Sequence, residues 1–340
     1  MAKLTTRDIA RMAGVSPTAV SFALNGKEGI SLDTRRKILD LVQKLGYEPT
    51  KRGRIARDRR LRYNRIAIVS ERKYDVNYLF CEFHSTVLNC FLLLCSKNNI
   101  DTVITNVPNI AEEFRMPDTL MFEDIDGVLV MSNIQHSYLD KIRSMHLPLL
   151  EFNADYSYPG QNAVRIDYHH AVCMATQHLL DLGHRDIAYF GSNEYRDQTL
   201  RLFTGFRETL LAHSPSIDLR RIQMNLDGGP TLEQAVDVQL LVKPWPTAIL
   251  CASGNMAVEV MLALQARGVR VPEDISVVAI SDISHSKFTS PGLSAVHIPP
   301  EEIAKLTFDA LMRQINHNEV ESILYTPSEF IQRGSSAPVK

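Results

Sequence analysis

The sequence predicts an α/β protein in which a small all-helical head precedes a body of two doubly wound parallel sheets. Three observations carry that expectation. Residues 5–47 place cap, turn and apolar residues at the joints of three short helices. Beyond Arg65, short aliphatic runs such as Ile66-Ala67-Ile68-Val69 alternate with longer amphipathic stretches, the pattern of parallel strands covered by helices on both faces. That alternation runs its course once and restarts near Val164. At 340 residues the chain is long for one domain, and a composition of 45% hydrophobic and 22% charged residues is ordinary for a globular protein.

In the head, the first helix is expected to begin at Thr5. Its hydroxyl can cap the free amides, while Asp8, three residues on, supplies the acidic half of a capping box. Ile9, Met12 and Ala13 then share one face. Gly14 gives the corner, Val15 packs into it, Ser16 caps the next helix, and Pro17 takes the first helical position, where its missing N–H costs nothing. A second helix from Pro17 to Leu24 turns Ala19, Val20, Ala23 and Leu24 towards Ile9 and Met12, leaving Pro17, Thr18, Ser21 and Phe22 outward. This is the layout of a helix-turn-helix, whose second helix enters a DNA groove. Asn25-Gly26 breaks the chain, and a third helix beginning at Ser31 closes the small core with Ile38, Leu41, Val42 and Leu45.

The charge distribution agrees with that reading. A net charge of -2 hides a split, because residues 1–62 carry 15 Lys/Arg against 6 Asp/Glu. A basic head on an acidic body suits phosphate binding at one end and repulsion from nucleic acid at the other. Seven Lys/Arg lie between Lys51 and Arg62, a stretch poor in apolar residues. The five cysteines, Cys81, Cys90, Cys95, Cys173 and Cys251, are odd in number and show no C-x-x-C pair, which predicts free, mostly buried thiols in a reducing compartment. With no apolar leader behind Met1-Ala2-Lys3 and no membrane-length apolar run, a cytoplasmic location is expected.

In the body, strands are expected at Ile66–Val69, Thr102–Thr105, Gly127–Met131 and Leu147–Phe152, with a helix from about Tyr78 to Asn98. The restart places Val164–Asp167 ahead of a helix running through His178-Leu179-Leu180 and stopped at Leu182-Gly183-His184. A strand over 186–191, helices over 200–212 and 231–241, a strand over 247–251, a helix over 256–267 and a strand over 275–280 follow. Leu293–Val296, a helix from Glu301 to Asn316 and Ser328–Ile331 complete the expected elements.

Nothing in the sequence points to catalysis. The P-loop, G-x-S-x-G and H-E-x-x-H patterns are absent, and no G-x-G-x-x-G follows the first strand. His169 and His170 are adjacent on an expected helix and face about 100° apart, so they do not converge on one ion. No catalytic residue, metal or cofactor is expected.

The stretch from Thr5 to Gly26, then Ser31, Thr34-Arg35 and Leu45-Gly46-Tyr47, resembles the N-terminal domain of the lactose/galactose repressor family of bacterial transcription regulators. Asp126-Gly127-Val128, His178-Leu179 through Gly183-His184-Arg185, and Val271 to Val278 extend the resemblance along essentially the whole chain. It implies a bilobed periplasmic-binding-protein-like body and an organisation of residues 1–47 as head, 48–62 as hinge and 63–340 as effector-binding and dimerisation body. The first lobe would take 63–164 and 293–322, and the second 165–292 and 323–337. The resemblance further implies a homodimeric, sequence-specific DNA-binding regulator, most simply a repressor, that reads a palindromic double-stranded operator and closes on a small effector, a carbohydrate or derivative, between its lobes. The competing readings are a solute-binding protein of a sugar transporter, which requires export and no head, and a regulator whose cleft takes a non-sugar metabolite or nothing. No membrane partner is implied.

Residue by residue, the resemblance puts Thr5, Ser16, Ser21, Asn25, Ser31 and Thr34 on phosphates and Pro17, Thr18 and Phe22 on base edges. Ala19 stands where the family usually has threonine, and Phe22 where it often has arginine, which favours contact with a thymine methyl. Tucking of Phe22 against the first helix is the alternative. In the hinge, Arg54 and Ile55 are the DNA contacts, with Ile55 or Leu61 replacing the family's wedging leucine, which falls on Ala56. Gly53 raises the cost of ordering that segment by about 1 kcal/mol over alanine. For the effector, Asp167 is in register. The usual arginine falls on Leu202 with Arg201 beside it, the clasping aspartate on Ser281 with Asp282 beside it, the stacking aromatic on Pro230, and the Asn-Asp pair on Gly254-Asn255. Asp167, Arg196, Arg201, Asn255 and Asp282 are therefore the expected effector contacts.

Overall fold

The computed structural model describes residues 6–24, 30–44, 64–71, 82–107, 114–122, 124–131, 134–154, 158, 160–191, 196–213, 217–224, 231–317 and 323–339. The chain divides into two compact units. One comprises Met1–Tyr78, Leu92–Phe152 and Phe308–Glu321; the other comprises Leu79–Phe91, Asn153–Thr307 and Ser322–Lys340.

The head consists of α1 (Thr6–Ala13), α2 (Pro17–Leu24) and α3 (Leu32–Lys44). Ile9, Ala10, Ala13, Val20, Ala23, Ile38 and Val42 form its core, with Val15, Ala19, Ile30 and Leu41 packed against them. Gly14 turns the corner at φ +69°, in the left-handed region that glycine enters without a Cβ penalty. Met12, expected on the buried face, is 54% exposed. The buried arc runs from Ile9 and Ala13 to Ala10, and at 100° per residue Met12 falls on its far side. The capping role of Thr5 and the packing of Leu45 lie outside the described residues.

The body begins with β1 (Arg65–Glu71), α4 (Glu82–Lys97), β2 (Asp101–Val107), α5 (Asp118–Phe122), β3 (Gly127–Val130), α6 (His136–Ser144), β4 (Leu149–Phe152) and β5 (Ala163–Ile166). It continues with α7 (Tyr168–Asp181), β6 (Ile187–Phe190), α8 (Arg196–Leu211), a 3-10 turn at Leu219–Arg221, β7 (Ile222–Gln223), α9 (Leu232–Leu241), β8 (Ala248–Cys251), α10 (Gly254–Ala266) and β9 (Ser276–Ala279). The last elements are β10 (Ser294–His297), α11 (Pro300–His317), β11 (Ile323–Thr326) and β12 (Glu329–Ile331).

Two six-stranded sheets result, in the orders β11-β5-β4-β3-β1-β2 and β12-β10-β9-β8-β6-β7. Parallel pairing runs through β1 with β2 and β3, β3 with β4, and β5 with β11, and again through β6 with β7 and β8, β8 with β9, and β9 with β10. β12 runs antiparallel to its neighbour β10. The inner strands are buried along their length, as parallel strands covered on both faces must be.

Strand membership corrects the sequence reading in three places. The Leu293–Val296 run, expected to return to the first half, forms β10 and pairs with β9 of the second sheet. Val164–Asp167, expected to open the second half, contributes β5 to the first sheet, where β11 pairs with it. β11 pairs with β5 in the first sheet, whereas the sequence reading offers no strand at 323–326 and places 323–337 whole in the second half. The physical reason is common to all three: a short strand reads the same in either sheet, and its hydrogen-bonding neighbour is fixed by distant residues.

Close packing of the elements rests on glycine at two places that matter below. A Cβ on Gly205 of α8 would lie 2.6 Å from Val172 Cγ1 and 2.9 Å from the His169 carbonyl, so this glycine lets α8 lie directly on α7. At the start of α10, a Cβ on Gly254 would lie 2.9 Å from Ile283 Cγ2 and closer still to the Ser281 carbonyl.

Candidate DNA-reading head and effector-binding residues

In the head, Ser16 sits just ahead of α2 and its Oγ accepts from Ala19 N at 3.0 Å, the N-cap expected of it. Ser31 caps α3 in the same way, its Oγ accepting from Thr34 N at 3.2 Å and lying 2.8 Å from Thr34 Oγ1. Ser16, Pro17, Thr18 and Ser31 are exposed, whereas Ser21, Phe22 and Thr34 are half-buried. The solvent face of α2 is thus formed by its first turn, the part of a recognition helix that meets base edges. Thr5, Asn25, Arg54 and Ile55 lie outside the described residues.

The expected effector contacts in the second unit lie near the ends of strands and starts of helices. Asp167 follows β5 and is the N-cap of α7, its Oδ1 accepting from His170 N at 3.0 Å. Asn255 is exposed in the first turn of α10. The amides that open this helix are taken by hydroxyls, Gly254 N donating to Ser281 Oγ at 2.9 Å and Met256 N to Ser253 Oγ at 3.3 Å. Of Arg196 only the backbone, at the first residue of α8, is described.

Two of the expected contacts are paired with charged side chains. Arg201 Nε donates to Asp197 Oδ2 at 2.6 Å, and hydrogen bonds to Asp197 and then Tyr325 hold its guanidinium above its usual pKa. Asp282 receives a two-pronged bond from Arg333, Nη1 to Oδ1 at 2.8 Å and Nη2 to Oδ2 at 2.9 Å, and His297 Nδ1 lies 3.7 Å away. Burial pushes the Asp282 carboxyl up, but hydrogen bonds from Arg333 and Ser286 and the charges of Arg333 and His297 outweigh it and hold it below the usual carboxylate range. Sequence reasoning missed Arg333, Tyr325 and Ser253. Arg333 and Tyr325 lie 51 and 124 residues from their partners and belong to no local pattern; Ser253 could have been found, being a serine directly ahead of a helix.

The arrangement of a capped helix-turn-helix head on a body of two parallel α/β sheets defines a class: DNA-binding regulators that carry a ligand-sensing body. Residues 5–50 match the family model described as "Bacterial regulatory proteins, lacI family", and residues 176–336 match "Periplasmic binding protein-like domain". The chain thus carries a lacI-family helix-turn-helix domain followed by a periplasmic-binding-protein-like domain, and it is a sequence-specific DNA-binding transcription regulator. It is similar to the "Probable HTH-type transcriptional repressor ExuR" of Bacillus subtilis (strain 168), 28% identical over 343 residues that cover 98% of each chain. It is also similar to the "Ribose operon repressor" of Haemophilus influenzae, 28% identical over 93% of each chain. The solved lac repressor dimer bound to operator and the anti-inducer ONPF shares the fold, with a TM-score of 0.66 at 19% identity over 99% of this chain and 100% of that one. Among the described residues, no helix is long and apolar enough to cross a membrane, and no group of three His, Cys, Asp or Glu is placed to hold a metal.

Proposed function

We propose that the protein represses transcription as a homodimer seated on a palindromic operator, and that a small effector of the carbohydrate class, bound by its body, shifts the balance between operator-binding and non-binding states. The observation that carries this reading is the Ser16-capped α2, which presents Pro17 and Thr18 to solvent from behind a glycine corner. Relatives along nearly the whole chain that are named repressors support it, as does the fold shared with a dimer bound to operator. We assign residues 1–47 as head, 48–62 as hinge and 63–340 as body, and place the protein in the cytoplasm with no catalytic activity, cofactor or resident metal.

Ser16, Ser21, Ser31, Thr34, Thr5 and Asn25 would fix the head on phosphates, and Pro17, Thr18 and Phe22 would meet base edges; Arg54 and Ile55 would act in the hinge. In the body, Asp167 uses one oxygen on its helix cap and can offer the other to a hydroxyl, with Asn255 and Arg196 as further polar contacts. Arg201 and Asp282 would serve an effector from within their existing pairs. A name such as "Ribose operon repressor" supports the carbohydrate class. The effector acts only through its differential affinity for the two states, which sets the size of the response.

Selection of bound duplexes from a random pool tests the DNA side: a symmetric consensus is expected, with the preference at one position of each half-site relaxed in Phe22→Ala. An asymmetric or absent consensus overturns the dimeric reading. A thermal-shift screen of sugars, sugar phosphates and nucleobases tests the body, where a ligand at about 100 times its Kd stabilises by about 2.7 kcal/mol. A sugar whose shift survives Asp167→Ala undiminished overturns the assignment of the effector residues.

A further inference from the structure

The seam between α7 and α8 carries a side-chain relay that neither DNA reading nor effector binding uses. Cys173 Sγ lies 3.8 Å from His169 Nδ1, and His169 Nε2 lies 3.0 Å from Glu208 Oε2. A carboxylate can only accept, so Nε2 carries the imidazole proton and Nδ1 keeps its lone pair facing the thiol. His169 and Cys173 are four residues apart on α7, one turn above the other, and Glu208 reaches them from α8. Nucleophile, base and orienting group thus stand in the order that activates a thiol.

Packing fixes the relay and access keeps it open. At Gly205 a Cβ would lie 3.2 Å from Cys173 Sγ, so the sulfur rests directly on the glycine, whose carbonyl is a second acceptor at 3.7 Å. The His169 and Glu208 side chains are 44% and 55% exposed, and Cys173 is half-buried. The other described cysteines differ. Burial pushes Cys95 up to about 12 and Cys251 higher still, and both are closed to solvent. Cys90 is half-buried, but burial and then the charge of Glu301 push its thiol up. Nor is the cluster a metal site, because the sulfur and the carboxylate face opposite nitrogens of one imidazole and do not converge.

We infer that Cys173 is a base-activated thiol and a modification site for small electrophiles, hydrogen peroxide among them, with His169 as its base and Glu208 as the group that positions His169. The Cys173 proton passes to His169 Nδ1, and the thiolate attacks one peroxide oxygen. An S–O bond forms as the O–O bond breaks, and the departing hydroxide takes the proton from His169 as water. Sulfur is oxidised by two electrons to a sulfenic acid and the peroxide is reduced. A low-molecular-weight thiol can then displace that hydroxyl as water, leaving a mixed disulfide too large for the Gly205 contact. Such an adduct loosens α8, the helix that carries Asp197 and Arg201.

The test treats the full-length protein with limiting iodoacetamide and reads alkylation cysteine by cysteine by mass spectrometry, with dimedone trapping after peroxide in parallel. Cys173 should react about tenfold faster than Cys90, His169→Ala should remove most of that advantage, and added imidazole should restore part of it, which a merely structural role would not allow. Glu208→Ala should slow Cys173 by a smaller factor. A Cys173 rate no higher than that of Cys90, or a fast rate retained in Glu208→Ala and in a folded His169→Ala, overturns the proposal. Should His169→Ala fail to fold, the wild-type comparison and Glu208→Ala decide it between them.

Discussion

Replacing Asp282 by alanine separates a structural from a ligand-binding role for this carboxylate. The Asp282 and Arg333 side chains are 12% and 19% exposed and share two short hydrogen bonds, and Arg333 Nη1 also donates to the Leu293 carbonyl at 2.6 Å. Breaking a fully buried pair costs about 3–5 kcal/mol and losing an exposed one about 0–1. This pair is nearly buried, yet the stranded guanidinium keeps one acceptor, which places Asp282→Ala at about 2–3 kcal/mol of lost stability. For a body of this size that lowers Tm by roughly 3–5 °C. The contribution also has a pH sign: the folded carboxyl titrates below its unfolded value of 3.8, so the stabilisation is present above that pH and is lost as pH falls through the folded pKa. Urea unfolding of Asp282→Ala, Arg333→Ala and the double variant gives the coupling, expected at about 1–2 kcal/mol, so that the double loss falls short of the sum. Single losses under about 0.5 kcal/mol that simply add, together with abolished effector binding, would show that Asp282 serves the ligand and not the fold.

Ser16→Ala removes the cap of α2 and should cost the head about 1 kcal/mol, read as faster amide exchange in α2 and weaker operator binding with unchanged sequence preference. Unchanged exchange would mean that the cap contributes nothing. Gly254→Ala forces a methyl against the Ser281 carbonyl and Ile283, and should cost about 1–3 kcal/mol by calorimetry although alanine is the better helix former; a stabilised variant refutes the close approach. His178 and His184 hydrogen-bond the C-terminal segment at Ser336 Oγ and the Ala337 carbonyl, and burial lowers both pKa values from 6.5. The unfolded chain therefore binds more protons below about pH 6.5, so stability holds above that pH and declines as pH falls beneath it. A Tm that stays flat from about pH 7.5 to pH 5.5 in the wild type, or a decline unaltered in His184→Gln, would refute it.

Much of this molecule is local, and what is local was legible in the sequence. The head follows from residues within a few positions of each other: Gly14 for the corner, Ser16 and Ser31 for caps, and Ile9, Val20, Ile38 and Val42 at helical spacing for the core. Helix and strand types in the body are fixed the same way, since periodicity is set by 3.6 or 2 residues per turn of side-chain direction. Only the tertiary structure decided which sheet each strand joins. β5, β10 and β11 are short and largely apolar, and their hydrogen-bonding partners lie tens to hundreds of residues away, where no local pattern reaches. Pairing of long side chains is equally non-local. The sequence offers Asp282 and Arg201 to an effector, but folding brings Arg333 to Asp282 and Tyr325 to Arg201 from near the C-terminus, and the nearly buried Asp282 charge is stable only with such a partner. His169, Cys173 and Glu208 became a relay for the same reason: α8 must lie on α7 at Gly205 before the carboxylate can reach the imidazole.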